Sequence, residues 1–123
     1  MREPWVQVRL SDLVEEHDES YGSYYNLSKA LRLKKLRANM FRFSPGQKME
    51  YHSHTEQEEL FFILEGQCTL VVDGERFALA AGSVVRLDPR PRRQIVNESD
   101  ADCVWLAVGA PGIDNEWVEH QEE

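Results

Sequence analysis

The apolar residues fall into short runs at close, regular intervals, with turn-forming residues between them. Residues 60–64 read LFFIL, 68–72 CTLVV, 75–80 ERFALA, 83–87 SVVRL, 93–97 RQIVN and 103–109 CVWLAVG. Glu65 and Gly66, Asp73 and Gly74, Ala81 and Gly82, the DPRP segment at 88–91, and Glu98, Ser99 and Asp100 separate them. Asp-Gly is a favoured two-residue hairpin turn, because both positions tolerate positive φ. Upstream, Val6, Val8 and Leu10 alternate and predict a short strand over residues 5–10. SDLVEE predicts a helical turn capped by Ser11. Residues 17–26, HDESYGSYYN, read as a loop. Residues 29–43 pass from a short turn into a strand that stops at Ser44, Pro45 and Gly46. No run at helical period is long enough for an α/β fold. The pattern predicts an all-β sandwich or barrel.

At 123 residues the chain is long enough for one domain with a sizeable core. Twenty-two acidic against 14 basic residues, a net charge of −8, argue against a nucleic-acid or anionic-membrane surface, where a basic face is expected. Neither a membrane-length apolar run nor a leader pattern is present, so a cytoplasmic location is expected. Cys68 and Cys103 each open an apolar run and lack zinc-site spacing. They are read as small buried thiols in a reducing compartment, with a disulfide as the alternative.

The chemistry concentrates in residues 46–66, GQKMEYHSHTEQEELFFILEG. Residues i and i+2 of a strand share a face, so His52 and His54 can aim both imidazoles at one point. If TEQE turns the chain, an antiparallel return brings Glu59 opposite them. Two imidazole nitrogens and a carboxylate oxygen suit a divalent metal such as Fe(II), Mn(II), Ni(II) or Zn(II).

This stretch resembles the first sequence motif of the cupins, G-x5-H-x-H-x4-E-x6-G, at Gly46, His52, His54, Glu59 and Gly66. Glu58 fits a shorter variant of the spacing, but the count to Gly66 selects Glu59. The resemblance implies a cupin jelly-roll barrel, a double Greek key, over residues 36–110. A short irregular N-terminal extension (1–35) packs on the barrel, and a C-terminal tail (111–123) follows. It also implies a metal held by His52, His54 and Glu59. The second motif, G-x5-P-x-G-x2-H-x3-N, is degenerate. Gly82 and Asn97 are in place, Asp88 holds the proline position with Pro89 one late, Arg90 replaces the second glycine, and Arg93 stands where the fourth ligand belongs. Arginine has no lone pair to offer a metal.

Two readings of Arg93 stay open. Either it clamps an anionic ligand beside a three-ligand metal, or it pairs with Glu59 in a metal-free pocket. Arg86, Arg90, Arg92 and Arg93 form a basic cluster, read mainly as a solvated loop. By strand alternation Phe61 and Ile63 share the face of Glu59, and Ile95 and Asn97 that of Arg93. Phe61, Ile63, Asn97 and Arg93 are therefore the expected substrate contacts. His17 and His120 are read as surface residues. The expected function is a small metal-dependent enzyme (oxygenase, isomerase or decarboxylase) acting on a small anionic or sugar-derived compound. A non-catalytic module that binds or senses a small ligand, possibly without metal, is the alternative. By family habit a homodimer is expected, with the segments around Trp5 and Trp117 covering sheet edges.

Overall fold

The computed structural model describes residues 3–19, 22–113 and 116–122. Its strands are β1 (Glu16–Asp18), β2 (Gly22–Asn26), β3 (Arg37–Phe43), β4 (His52–His54), β5 (Glu58–Glu65), β6 (Gln67–Val72), β7 (Glu75–Ala80), β8 (Val84–Leu87), β9 (Arg93–Val96), β10 (Cys103–Ala110) and β11 (Trp117–Glu119). One five-residue helix, α1 (Leu27–Leu31), starts where the Asn26 side chain accepts the Lys29 N–H at 3.0 Å. The strands make two antiparallel sheets, ordered β1-β2-β3-β10-β5-β8 and β11-β4-β9-β6-β7. The fold is the all-β jelly roll expected from the sequence.

The inner faces enclose one main core. Phe41 and Phe43 of β3, Phe61 and Ile63 of β5, Ile95 of β9 and Trp105 of β10 are buried there with Leu70, Leu79 and Leu87. Trp105 stacks on Phe41 with ring centroids 4.6 Å apart and meets Phe43 and Phe61 edge-on. Each such side chain contributes roughly 1.5–3 kcal/mol of transfer free energy. The β6–β7 hairpin closes at Asp73 and Gly74, both with positive φ, 47° and 84°. That conformation explains the Asp-Gly pair in the sequence. At Gly66, φ is 76° and an added Cβ would collide with the Asp102 carbonyl oxygen.

Several local expectations are corrected. Residues 5–9 form no strand, and the helical turn is a single 3₁₀ turn at Leu10–Asp12, one residue ahead of the SDLVEE segment. The segment read as a loop holds two of the three residues of β1 and all of β2, and β2 extends the larger sheet by pairing with β3. Polar, aromatic strands this short carry no clean alternation of period two. The C-terminal segment contributes β11, which lies along β4. Cys68 and Cys103 are not separate thiols. They are joined as a disulfide between β6 and β10, Cα atoms 6.2 Å apart, and so link the two sheets. Both are essentially inaccessible to solvent, as buried thiols would also be. Their pairing depends on which strands face one another across the core.

Candidate metal centre

β4 and β5 do not form the antiparallel hairpin that the sequence suggested. Residues 55–57 carry the chain from the smaller sheet to the larger one, so the histidines and the glutamate approach from opposite walls. His52 and His54 keep the shared face that their spacing requires, with ring centroids 5.0 Å apart. One ligand atom from each of His52, His54 and Glu59 lies within 4.8 Å of the others. His54 Nε2 is 3.3 Å and His52 Nε2 3.9 Å from Glu59 Oε1.

The far side of each imidazole is already engaged. His52 Nδ1–H donates to the Glu50 carbonyl at 2.8 Å, and His54 Nδ1–H donates to Glu116 Oε2 at 2.5 Å. In the neutral rings these bonds put the proton on Nδ1 and leave the Nε2 lone pair facing inward, the tautomer a metal needs. His54 Nε2 and Glu59 Oε1 are buried and make no hydrogen bond. Buried polar atoms that spend no hydrogen bond are rare, and two of them 3.3 Å apart, converging with a third ligand atom, fit a cation. The donor set, two imidazoles and one carboxylate, matches divalent iron, manganese, nickel or zinc. The side chains present fit such an ion.

Burial pushes the His52 pKa down, only partly opposed by the Glu50 carbonyl and the Glu59 charge. His54 is also partly desolvated, but the carboxylates of Glu59 and Glu116 outweigh burial and hold its pKa above the usual value.

Arg93 lies directly opposite His52 on the neighbouring β9 and is fully buried. Its Nη1 donates to the carbonyls of Pro89 and Pro91 at 2.8 and 2.7 Å, and its Nη2 to that of Asp88 at 2.6 Å. Nε lies 3.2 Å from Glu59 Oε1 without the alignment of a hydrogen bond. The guanidinium thus holds the 88–91 loop and faces Glu59 as a charge. Burial lowers its pKa, while Glu59 and other carboxylates work against that.

A cavity of about 240 Å³ opens over the triad. Arg37, Asn39, Glu50 and Gln57 supply its polar lining, and Phe41, Met49 and Trp117 most of its apolar lining. Phe61 and Ile63 share the inward face with Glu59 as alternation predicts, but they sit in the sealed core and not on this wall. Asn97 is fully buried and spends its side chain on a turn. Its Nδ2 donates to the Phe43 and Ala101 carbonyls at 2.8 Å each, and its Oδ1 accepts from the Ser99 N–H and hydroxyl. Arg86 is exposed and lies 3.4 Å from Asp88. His120 is bonded to Ser53, outside the triad.

Sequence reasoning missed Glu116. It sits in a tail without periodicity, yet its side chain is buried and its carboxylate accepts from His54, Thr55 and the backbone N–H groups of Glu56 and Gln57. Burial favours its neutral form, but those donors prevail and hold its pKa at about 2.

A two-sheet barrel with an inward-facing triad of this kind is a cupin architecture. The chain belongs to the cupin superfamily, as the family model described as "Cupin domain" matches residues 39–109. Among curated proteins it is similar to the uncharacterized protein MJ1618 of Methanocaldococcus jannaschii, 28% identical over 60% of this chain and 59% of that one. It is also similar to the polyketide synthase CurC of Streptomyces cyaneus, 33% identical over 50% of this chain and 41% of that one. The matched stretches thus span about half the length of these curated relatives. Among solved structures it is similar to one from Silicibacter pomeroyi described as a sugar phosphate isomerase from a cupin superfamily. That likeness has a TM-score of 0.77 and 25% identity, covering 85% of this chain and 75% of that one.

Proposed function

We propose that the chain is a small metal-dependent enzyme that isomerises a hydroxylated, anionic compound of the sugar-phosphate type. The observation that carries this reading is the convergence of two pre-oriented imidazoles and a carboxylate oxygen that accepts no hydrogen bond on the floor of a cavity. A divalent ion held by His52, His54 and Glu59 supplies Lewis-acid polarisation of a carbonyl or hydroxyl oxygen. The likeness to the Silicibacter protein favours isomerisation over oxygenation or decarboxylation.

The chain's own residues have distinct tasks on this reading. Asn39 Oδ1 is buried, unpartnered and on the cavity lining, so it can accept a hydrogen bond from a substrate hydroxyl. Arg37 provides positive charge on the lining for an anionic group, in place of the inward-tied Arg93. Glu50 is the other acidic residue on that lining among the described residues, and on this reading it moves the proton between neighbouring carbons. Phe41, Met49 and Trp117 limit water at the reacting atoms.

One observation favours a second reading, a metal-free binding module. Arg93 Nε stands 3.2 Å from Glu59 Oε1 and offsets part of the charge that would attract an ion. Elemental analysis of protein purified without added metal, followed by calorimetric titration of Fe(II), Mn(II), Ni(II) and Zn(II), decides between them. The enzyme reading expects near-stoichiometric metal, and deuterium uptake from solvent into aldose or ketose phosphates in NMR. Absence of binding at micromolar metal would overturn it in favour of the binding module.

A further inference from the structure

Outside the triad, Glu116 is a heavily bonded buried side chain beside the cavity. Its position is not implied by either sequence motif. One carboxylate oxygen, Oε1, accepts from the Thr55 hydroxyl at 3.0 Å and from the backbone N–H groups of Gln57, at 2.7 Å, and Glu56. The other, Oε2, accepts from His54 Nδ1–H. The backbone carbonyl of Glu116 accepts the Thr55 N–H at 3.1 Å. Glu116 therefore closes, from outside, the turn that separates His52 and His54 from Glu59.

β11 begins at the next residue and runs along β4 in register, Trp117 opposite His54 and Glu119 opposite His52. The Trp117 ring meets His52 edge-to-face at 5.3 Å. Beyond it, the His120 N–H reaches the Tyr51 carbonyl and its ring reaches Ser53. The strand that bears two ligands is thus flanked along its length by the segment that starts at Glu116.

We infer that Glu116 is a positioning residue of the metal site, and that through it metal binding and docking of β11 form one coupled equilibrium. This rests on the metal reading above. The physical basis is the division of labour between the two oxygens. Oε1 is surrounded by donors, so only an acceptor fits there. Oε2 faces a ring nitrogen and fixes its proton on Nδ1, leaving Nε2 free to ligate. In Glu116→Gln the amide oxygen must take the Oε1 place, and the amide NH2 then points at His54 Nδ1. That arrangement requires a lone pair on Nδ1 and moves the proton to Nε2, where it blocks ligation. By reciprocity, whatever Glu116 contributes to metal affinity, metal contributes to holding β11 in place.

The test uses the full chain as wild type, Glu116→Gln and Thr55→Val. The last removes the hydroxyl that reaches both Oε1 and the backbone carbonyl of Glu116, and leaves the Glu116 bond to His54 in place. Zinc titration should show roughly a 10–100-fold weaker Kd for Glu116→Gln and a nearly unchanged Kd for Thr55→Val, even if both lower the melting temperature. Nitrogen-15 NMR of the metal-free proteins at alkaline pH should find His54 with its proton on Nδ1 in wild type and on Nε2 in Glu116→Gln. Amide exchange at residues 117–120 should slow when zinc is added to wild type. Equal zinc affinity in wild type and Glu116→Gln, or exchange at 117–120 indifferent to zinc, would overturn the inference while leaving the metal site intact. If wild type binds none of Fe(II), Mn(II), Ni(II) and Zn(II), the metal reading and the coupling fall together. The tautomer measurement then still decides whether Glu116 sets His54.

Discussion

Arg93 Nε stands 3.2 Å from Glu59 Oε1, while the rest of the guanidinium is spent on the backbone carbonyls of Asp88, Pro89 and Pro91. The residue in the place of a fourth ligand is therefore a structural member of the loop beside it. Removing its hydrogen-bonding head leaves three carbonyls and a carboxylate to find other partners. Arg93→Met should destabilise the protein by about 3–5 kcal/mol, the range found when one member of a buried charge pair is lost. Denaturant unfolding of the metal-free form measures this, and a loss below about 1 kcal/mol would contradict the assignment.

His52→Ala leaves one imidazole and one carboxylate on the cavity floor. Two protein ligands rarely hold a divalent ion against water. Calorimetry should find micromolar metal binding in wild type and none in the variant, while far-ultraviolet circular dichroism stays the same. Retained affinity would place the ion elsewhere.

Glu116 has its pKa held at about 2 against an ordinary 4.5, so in the metal-free protein it contributes stability that is fully present above pH 4.5. That contribution is lost as pH falls from 4.5 towards 2, because the unfolded chain takes up the proton first. A gap of this size corresponds to about 3 kcal/mol. Urea unfolding of wild type across this pH range should show the decline, and Glu116→Gln should show a correspondingly shallower one.

The bond between Cys68 and Cys103 closes a stretch of chain with a sequence separation of 35. On the chain-entropy account a loop of that length is worth about 3–4 kcal/mol. The double variant Cys68→Ala and Cys103→Ala should unfold at correspondingly lower denaturant concentration. Intact-mass measurement under non-reducing conditions should find no free thiol in wild type. Two alkylatable thiols in unreduced, denatured wild type would contradict the pairing.

The outer face of the larger sheet is apolar across neighbouring strands. Phe62 is in register with Val84 on one side and Leu106 on the other, and Leu106 in turn with Met40. Leu60, Leu64 and Val84 are exposed there. An antiparallel sheet with one solvated face normally alternates, and β5 and β10 instead carry apolar residues on both sides. We expect a second copy of the chain to cover this face. Light scattering should return twice the chain mass for wild type and the single mass for Val84→Lys. A monomer at high wild-type concentration would overturn this expectation.

How much of this was legible in the sequence depended on the range of the interaction. His52 and His54 could be placed on one face from their spacing alone, and the glycines around them fixed which carboxylate to choose. The strands from Glu58 onward were legible because Asp-Gly and Ala-Gly pairs punctuate apolar runs. The hairpin expected between β4 and β5 was not realised, because a connection at 55–57 suits either a turn or a step between sheets. The bonds of Arg93 to three carbonyls depend on the path of the DPRP loop, which composition does not specify. Glu116 was invisible for a similar reason. Nothing in EWVEH signals that it lies along the histidine strand. The cysteines read as unpaired because strand order across the core, not spacing, brings them together.

The step between sheets at residues 55–57 has a mechanical consequence. Because His52 and His54 belong to one wall of the barrel and Glu59 to the other, a bound ion would act as a removable rivet between them. The Cys68–Cys103 bond already joins the same two walls permanently. Chelation would then loosen the barrel as reduction would, but reversibly and from the cavity side. The stiffness of this small protein would become a quantity set by the metal supply around it.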